Sequence, residues 1–391
     1  MTRLFSSSGG PGASSLKIVR GRNSSPWLSD RDEIIFEQRG TLYAQPKLDC
    51  PEVNAAKIIN ATSSVDPKNA IRREVEAAKV CHDRLVKEGI DLAAYDSAQS
   101  AADIEDLRRV LGYEKWNLYG VSYSSRLMLD VMRDYPAGIR SVVLESVLPP
   151  SVNYDEVGVD GAMRALKVVF ANCAADAECA QAYPNLEEVF YDLVRRTNLS
   201  PIPFSIKLAG NSDTLTVKLT GNDITTWIID YLLSVNAEAI ADAPLQIYRF
   251  ADRDYRALKS YAESKMSEGG NFSWGMRYSV WCREEMPFEN RRKIAAQSRR
   301  YEGLRGYTIQ SSMPAICDVW GVPPAKPLEN EPVTSNIPTL ILAAEYDAYT
   351  PPAWGQLTAR TLRNSYFYEV PGVGHGPGCS STCARNGCGI S

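Results

Sequence analysis

The sequence predicts an α/β protein, a mostly parallel sheet broken by a largely helical insertion, and three observations carry that prediction. Up to residue 150, short apolar runs alternate with stretches of helical periodicity, the pattern of parallel strands joined by crossover helices. From 151 to about 334, helical patterns dominate. At "IPTLILAAEYDAYTPP" the alternation resumes. The expected organisation is residues 1–150 as the first part of a core, 151–334 as a helical cap insertion and 335–391 as the second part of the core. Such an insertion lies over the carboxyl ends of the strands, where parallel sheets bind ligands.

Each element follows from its residues. The opening "RLFSSSGGPGASS" reads as a short strand running into a glycine-rich loop. In "DRDEIIFEQRGTL" the apolar run Ile34 to Phe36, closed by a glycine turn, predicts a buried strand. Helical spacing predicts a helix over Asn69 to Glu88 that stops at Gly89. A second helix opens on a serine cap in "DSAQSAADIEDLRRVLG" and stops at Gly112. Trp116 to Tyr119 is the next strand, a helix follows Ser122, and "IRSVVLESVLPP" is a strand. Within the insertion, "VDGAMRALKVVFANC", "NLEEVFYDLVRRT", "DITTWIIDYLLS" and "APLQIYRFADRDYRALKSYAESK" are helical, while "PFSIKLAG" and "TLTVKLTG" predict a hairpin. After it come a buried strand, a proline-started helix and "SYFYEVPGVGHGPG", a last strand ending in a glycine loop.

Composition narrows the class. A net charge of −4 gives no basic field for nucleic acid or anionic lipid. No run approaches the roughly 18 apolar residues of a membrane-spanning helix. No cofactor or metal is called for. Nine cysteines fall in local groups, Cys50 with Cys81, Cys173 with Cys179, Cys282 with Cys317, then Cys379, Cys383 and Cys388. Pairing by proximity would give three or four disulfides and leave a thiol over. That points to an oxidising, secreted or periplasmic setting, although the chain opens with no apolar signal core.

The chemistry lies in "WNLYGVSYSSRLML", a strand, a tight turn and a helix that nearly spell G-x-S-x-G around Ser122. Ser124 stands where that pattern has its last glycine; serine is small and can cap the helix. The chain has two histidines. His82 sits mid-helix among charged residues, as a solvated surface side chain would. His375 sits in "PGVGHGPG", directly after a strand, where glycines let its side chain turn out from the sheet end. Asp347 holds the matching place after the preceding strand and can accept the Nδ1 proton of His375. Ser122, Asp347, His375 is the chain order of a hydrolase triad. Acyl transfer also needs donors for the developing oxyanion. The backbone N–H of Tyr123 supplies one, and Gly9 or Gly10 in "SGGPG" supplies a second.

"GGPGASS", "DEIIFEQRGT", "LDCPE", "NLYGVSYSSRLML", "EYDAYTPP" and "GVGHG" together resemble the α/β-hydrolases of the proline iminopeptidase and tripeptidyl aminopeptidase group. The resemblance implies an α/β-hydrolase fold with Ser122 as nucleophile, His375 as general base and acid, and Asp347 as orienting carboxylate. It implies that "EQRG" supports the oxyanion loop, and that carboxylates of the cap bind the substrate ammonium. Glu284 and Glu285 in "VWCREEMPF", beside Trp281, are the candidates, and the aromatic-rich cap offers an apolar pocket. Ser8 replaces the histidine that usually precedes Gly-Gly-Pro-Gly. Strands that normally precede this loop are missing, which would leave an open sheet edge for a homodimer contact.

The implied activity is that of a serine hydrolase acting on peptide N-termini, as a tripeptidyl or prolyl aminopeptidase. A carboxylesterase acting on small acyl esters shares the mechanism. Two readings differ in kind: a non-catalytic binding protein on the hydrolase fold, and a C-terminal zinc site built from His375, Cys379, Cys383 and Cys388.

Overall fold

The computed structural model describes residues 3–21, 32–62, 66–207, 214–267 and 272–379. The strands are β1 (Arg3–Ser7), β2 (Asp32–Ile35), β3 (Trp116–Val121), β4 (Ile139–Glu145), β5 (Ile202–Lys207), β6 (Thr214–Leu219), β7 (Thr339–Ala344) and β8 (Ser365–Val370). A six-stranded sheet has the order β2-β1-β3-β4-β7-β8, and every neighbouring pair in it is parallel. β5 and β6 form the separate antiparallel hairpin, and their connecting residues 208–213 lie outside the described part.

Before β4, the helices are α1 (Pro51–Thr62), α2 (Pro67–Lys87), α3 (Ser97–Val110) and α4 (Tyr123–Asp134). Between β4 and β7 run α5 (Tyr154–Ala175), α6 (Ala177–Ala182), α7 (Leu186–Leu199), α8 (Gly221–Tyr231), α9 (Ala237–Ala241), α10 (Ala243–Ala251), α11 (Arg256–Ser267), α12 (Trp274–Glu284), α13 (Arg291–Ala296) and α14 (Met313–Trp320). α15 (Pro352–Ala359) joins β7 to β8. Asp66 caps α2 by accepting from Lys68 N, and Pro67 takes the first helical position, so that helix begins two residues before Asn69. α3 is capped by Asp96 and not by a serine: the Asp96 carboxylate accepts from Gln99 N. Ser97, the first helical residue, turns its side chain elsewhere.

Among the described residues, three apolar cores hold the molecule. One lies in the sheet layer and joins Phe5, Leu118, Val142 and Ile341 to Ile104 of α3 and Met128 of α4. A second fills the space among α5, α7, α8 and α10. The third packs α1 and α2 against α12 and α14 through Val53, Leu85, Met276 and Trp320. The helical pair from the first part of the chain therefore shares its core with the long helical segment. Disulfides Cys50–Cys81, Cys173–Cys179 and Cys282–Cys317 form. β2 is half-buried where the apolar run predicts full burial, because it sits at the sheet edge beside β1 alone.

Candidate active site

β3 ends in a turn too tight for any residue but glycine at position 120. A Cβ there would lie 2.5 Å from Ser124 O and 2.8 Å from Met128 Cγ. Two residues on, Ser122 has φ 60° and ψ −131°, a backbone conformation that costs a non-glycine residue roughly 1–3 kcal/mol and concentrates at functional sites. Tyr123 starts α4, so its N–H is one of the helix's orphan donors. Ser124 does not cap: it is fully buried and its hydroxyl has no hydrogen-bond partner among the described residues.

The glycine-rich loop after β1 closes on this turn. A Cβ on Gly9 would stand 3.0 Å from Ser122 Cβ and 3.4 Å from its Oγ. Gly10 has φ +116°, which other residues rarely adopt. Buried Gln38 holds the loop from below, donating to Ser7 Oγ at 2.6 Å and Ser8 O at 2.7 Å. Ser8, in the place of the usual histidine, donates to Ser14 O at 3.2 Å.

Asp347, fully buried beyond β7, is saturated with hydrogen bonds. Oδ1 accepts from Tyr349 N at 3.0 Å and Thr350 N at 2.9 Å. Oδ2 accepts from Thr350 Oγ1 at 2.8 Å and from His375 Nδ1 at 2.8 Å. Arg164 of α5 fixes the same loop from above, donating to Glu345 O at 2.7 Å and Asp347 O at 2.9 Å. Burial pushes the His375 imidazole toward its neutral form, but the charge and hydrogen bond of Asp347, with help from Glu145, hold its pKa above the ordinary value. Burial likewise opposes ionisation of Asp347, and His375 with the Thr350 N–H keeps its pKa below the usual carboxylate range.

Ser122 and His375 line one cleft of about 730 Å³, together with Gly10, Arg277 and Trp281. Among the described residues no hydrogen bond joins Ser122 to His375; such bonds tighten when substrate binds. His82 is remote, hydrogen-bonded to Asp83 on α2 and edge-on to Trp320. Cys383 and Cys388 of the zinc alternative lie outside the described residues.

Glu284 and Glu285 are not in the cleft. Glu284 is 1% exposed and Glu285 2%, because both turn inward to Arg126 of α4, itself 1% exposed. Glu284 Oε2 lies 3.5 Å from Arg126 Nε and accepts from Ser97 Oγ at 2.6 Å; Glu285 pairs with Arg126 Nη1. A buried cation demands such partners. Trp281 does reach the cleft wall, with its Nε1–H donating to Asp155 Oδ2 at 2.9 Å. Sequence reasoning passes over Thr350, Arg164 and Arg277. Thr350, three residues after Asp347, carries a local signal; the two arginines carry none.

Residues 306–388 match the family described as TAP-like protein. The chain is 23% identical over 377 residues to the serine protease Hip1 of Mycobacterium tuberculosis, covering 91% of this chain and 72% of that one. It is 31% identical over 158 residues to the tripeptidyl aminopeptidase of Streptomyces lividans, covering 38% and 29% respectively. A solved structure of a proline iminopeptidase-related protein from Thermus thermophilus superimposes with a TM-score of 0.43 at 15% identity, covering 98% of this chain and 86% of that one. The chain is an α/β-hydrolase-fold serine hydrolase, related to the tripeptidyl aminopeptidases and TAP-like in its C-terminal part.

Proposed function

We propose that this enzyme is an aminopeptidase that cleaves peptides near their N-termini through an acyl-enzyme on Ser122, with residues 151–334 as its cap. One observation carries the assignment: Ser122, in its strained turn, shares a cleft with a histidine held on a buried carboxylate at 2.8 Å. Ser122 Oγ attacks the scissile carbonyl carbon while its proton passes to His375 Nε2. Asp347 holds the imidazole in the tautomer that leaves Nε2 free and stabilises the imidazolium that forms. The N–H groups of Tyr123 and of Gly9 or Gly10 take the oxyanion, and the departing amine takes the proton from His375. Water then repeats the sequence on the ester and returns Ser122.

With Glu284 and Glu285 buried, the role of ammonium acceptor passes to Glu74 of α2, the one carboxylate among the described residues lining the cleft. Ser312 Oγ at 2.9 Å and Asn60 Nδ2 at 3.3 Å orient it. Glu74→Gln is expected to raise KM about tenfold for substrates with a free amino terminus and to leave N-acylated ones unchanged, in parallel chromogenic assays.

Labelling with a fluorophosphonate tests the nucleophile. Wild type is expected to label and Ser122→Ala to stay unlabelled; equal labelling rejects the assignment. A panel of aminoacyl, tripeptidyl and short acyl ester substrates tests the peptidase reading, and turnover of esters alone overturns it in favour of a carboxylesterase. The three disulfides support an extracellular or periplasmic setting. A homodimer through the β2 edge stays a proposal, checked by sedimentation of wild type against a variant with lysines on that strand.

A further inference from the structure

α12 carries three charged side chains whose partners differ. Arg283 pairs with Asp96 at 2.7 Å, and Glu284 turns to Arg126 and Ser97. Arg277 faces the cleft and takes no carboxylate among the ion pairs of the described residues. Its Nη1 donates to the carbonyl of Gly10, and its Nη2 to Gln310 Oε1. The guanidinium lies 3.8 Å over the ring of Trp281. Both supports are anchored on one buried carboxylate: Asp155 Oδ1 accepts from Gln310 Nε2 at 2.7 Å, and Oδ2 from Trp281 Nε1 at 2.9 Å.

Arg277 is half-buried at the cleft wall, and the desolvation it suffers there lowers its pKa. What the guanidinium holds is the carbonyl of a glycine with φ +116°, in a loop that touches Ser122. Two adjacent glycines leave that loop free to rotate its peptide planes. Rotation of the Gly9–Gly10 plane would turn the Gly9 carbonyl, in place of the Gly10 N–H, toward the oxyanion. The Gly10 carbonyl that Arg277 holds belongs to the next peptide, Gly10–Pro11, and pins the Gly10 end of that plane. We propose that Arg277 is a positioning residue that locks the Gly9–Gly10 segment in its donor orientation, with Gln310 and Asp155 as the anchor behind it. The inference rests on the serine-hydrolase reading, with Ser122 as nucleophile. It adds that a helix between β4 and β7 braces the loop that supplies an oxyanion donor.

The experiment compares wild type, Arg277→Met, Arg277→Lys and Gln310→Ala, each checked for folding by circular dichroism. Steady-state kinetics are paired with the affinity of a peptidyl boronic acid, whose boron bonds to Ser122 Oγ and places an oxygen in the oxyanion hole. A matching peptide amide, without an electrophile, serves as the ground-state control. Arg277→Met is expected to lose about 10²- to 10³-fold in kcat, the range of one oxyanion donor, with KM changed less than threefold. Boronate affinity should fall in proportion to kcat/KM while amide affinity holds. Lysine at 277 should recover part of the loss, and Gln310→Ala should show the same pattern at about tenfold. A rise in KM at unchanged kcat would make Arg277 a substrate-binding residue and overturn the proposal, as would unchanged boronate affinity in folded Arg277→Met or Gln310→Ala. Should Arg277→Met fail to fold, Gln310→Ala decides alone. Equal fluorophosphonate labelling of wild type and Ser122→Ala would instead reject the underlying reading.

Discussion

The hydroxyl of Ser124 is buried with no hydrogen-bond partner among the described residues, one residue inside the helix that follows Ser122. An unpaired buried hydroxyl costs about 1–3 kcal/mol. Ser124→Ala should therefore raise the unfolding free energy by about 1 kcal/mol in urea titrations, with kcat/KM little changed. The pH profile is set two loops away. In the mechanism proposed above, His375 works as a base only when neutral, so activity should climb as pH rises through its pKa. Because Asp347 holds that pKa above the ordinary imidazole value, the acid limb of kcat/KM should lie above about pH 6.5. Asp347→Asn removes the charge that raises it. Its acid limb should move to lower pH while kcat falls by about 10⁴, because the imidazole then loses its productive tautomer. A profile whose limb stays in place would separate Asp347 from His375.

At the scale of elements, α4 is coupled to α12 by a charge cluster out of reach of solvent. Arg126 neutralises Glu285 and lies beside Glu284, and Glu284 also accepts from Ser97 at the start of α3. Burial holds Glu284 above the ordinary carboxylate range even with Arg126 beside it. Removing the arginine would leave uncompensated carboxylates in the interior, so Arg126→Leu should cost about 3–5 kcal/mol of stability. Adding Glu285→Gln should return part of that loss, as a double-mutant cycle in denaturant would show.

For the molecule as a whole, local signals were legible and long-range ones were not. Strands and helices were readable because apolar period is a local property; that Ser122 and His375 share a cleft and His375 meets Asp347 was readable in outline because each of the three ends its own strand in chain order. The three cystines follow sequence proximity. Glu284 and Glu285, expected in the cleft, turn away from it to Arg126, which is 159 residues from Glu285, and nothing near "CREEM" announces that partner. The serine cap of α3 gave way to Asp96 for a related reason: Ser97 is drawn to Glu284, 187 residues on. Arg277 sits in an aromatic run, "WGMRYSVW", that reads only as packing.

Arg164 adds a consequence of its own. From α5 it grips the main chain of the Asp347 loop, and Gly161 on the same helix packs so closely that a Cβ there would meet Ala348 O at 2.4 Å. If Asp347 plays the role proposed, helices that brace its loop through the loop's carbonyls cannot be exchanged as a cassette. A chimera given another hydrolase's insertion would inherit a new pocket yet lose turnover, unless the graft brought an arginine to the same two carbonyls.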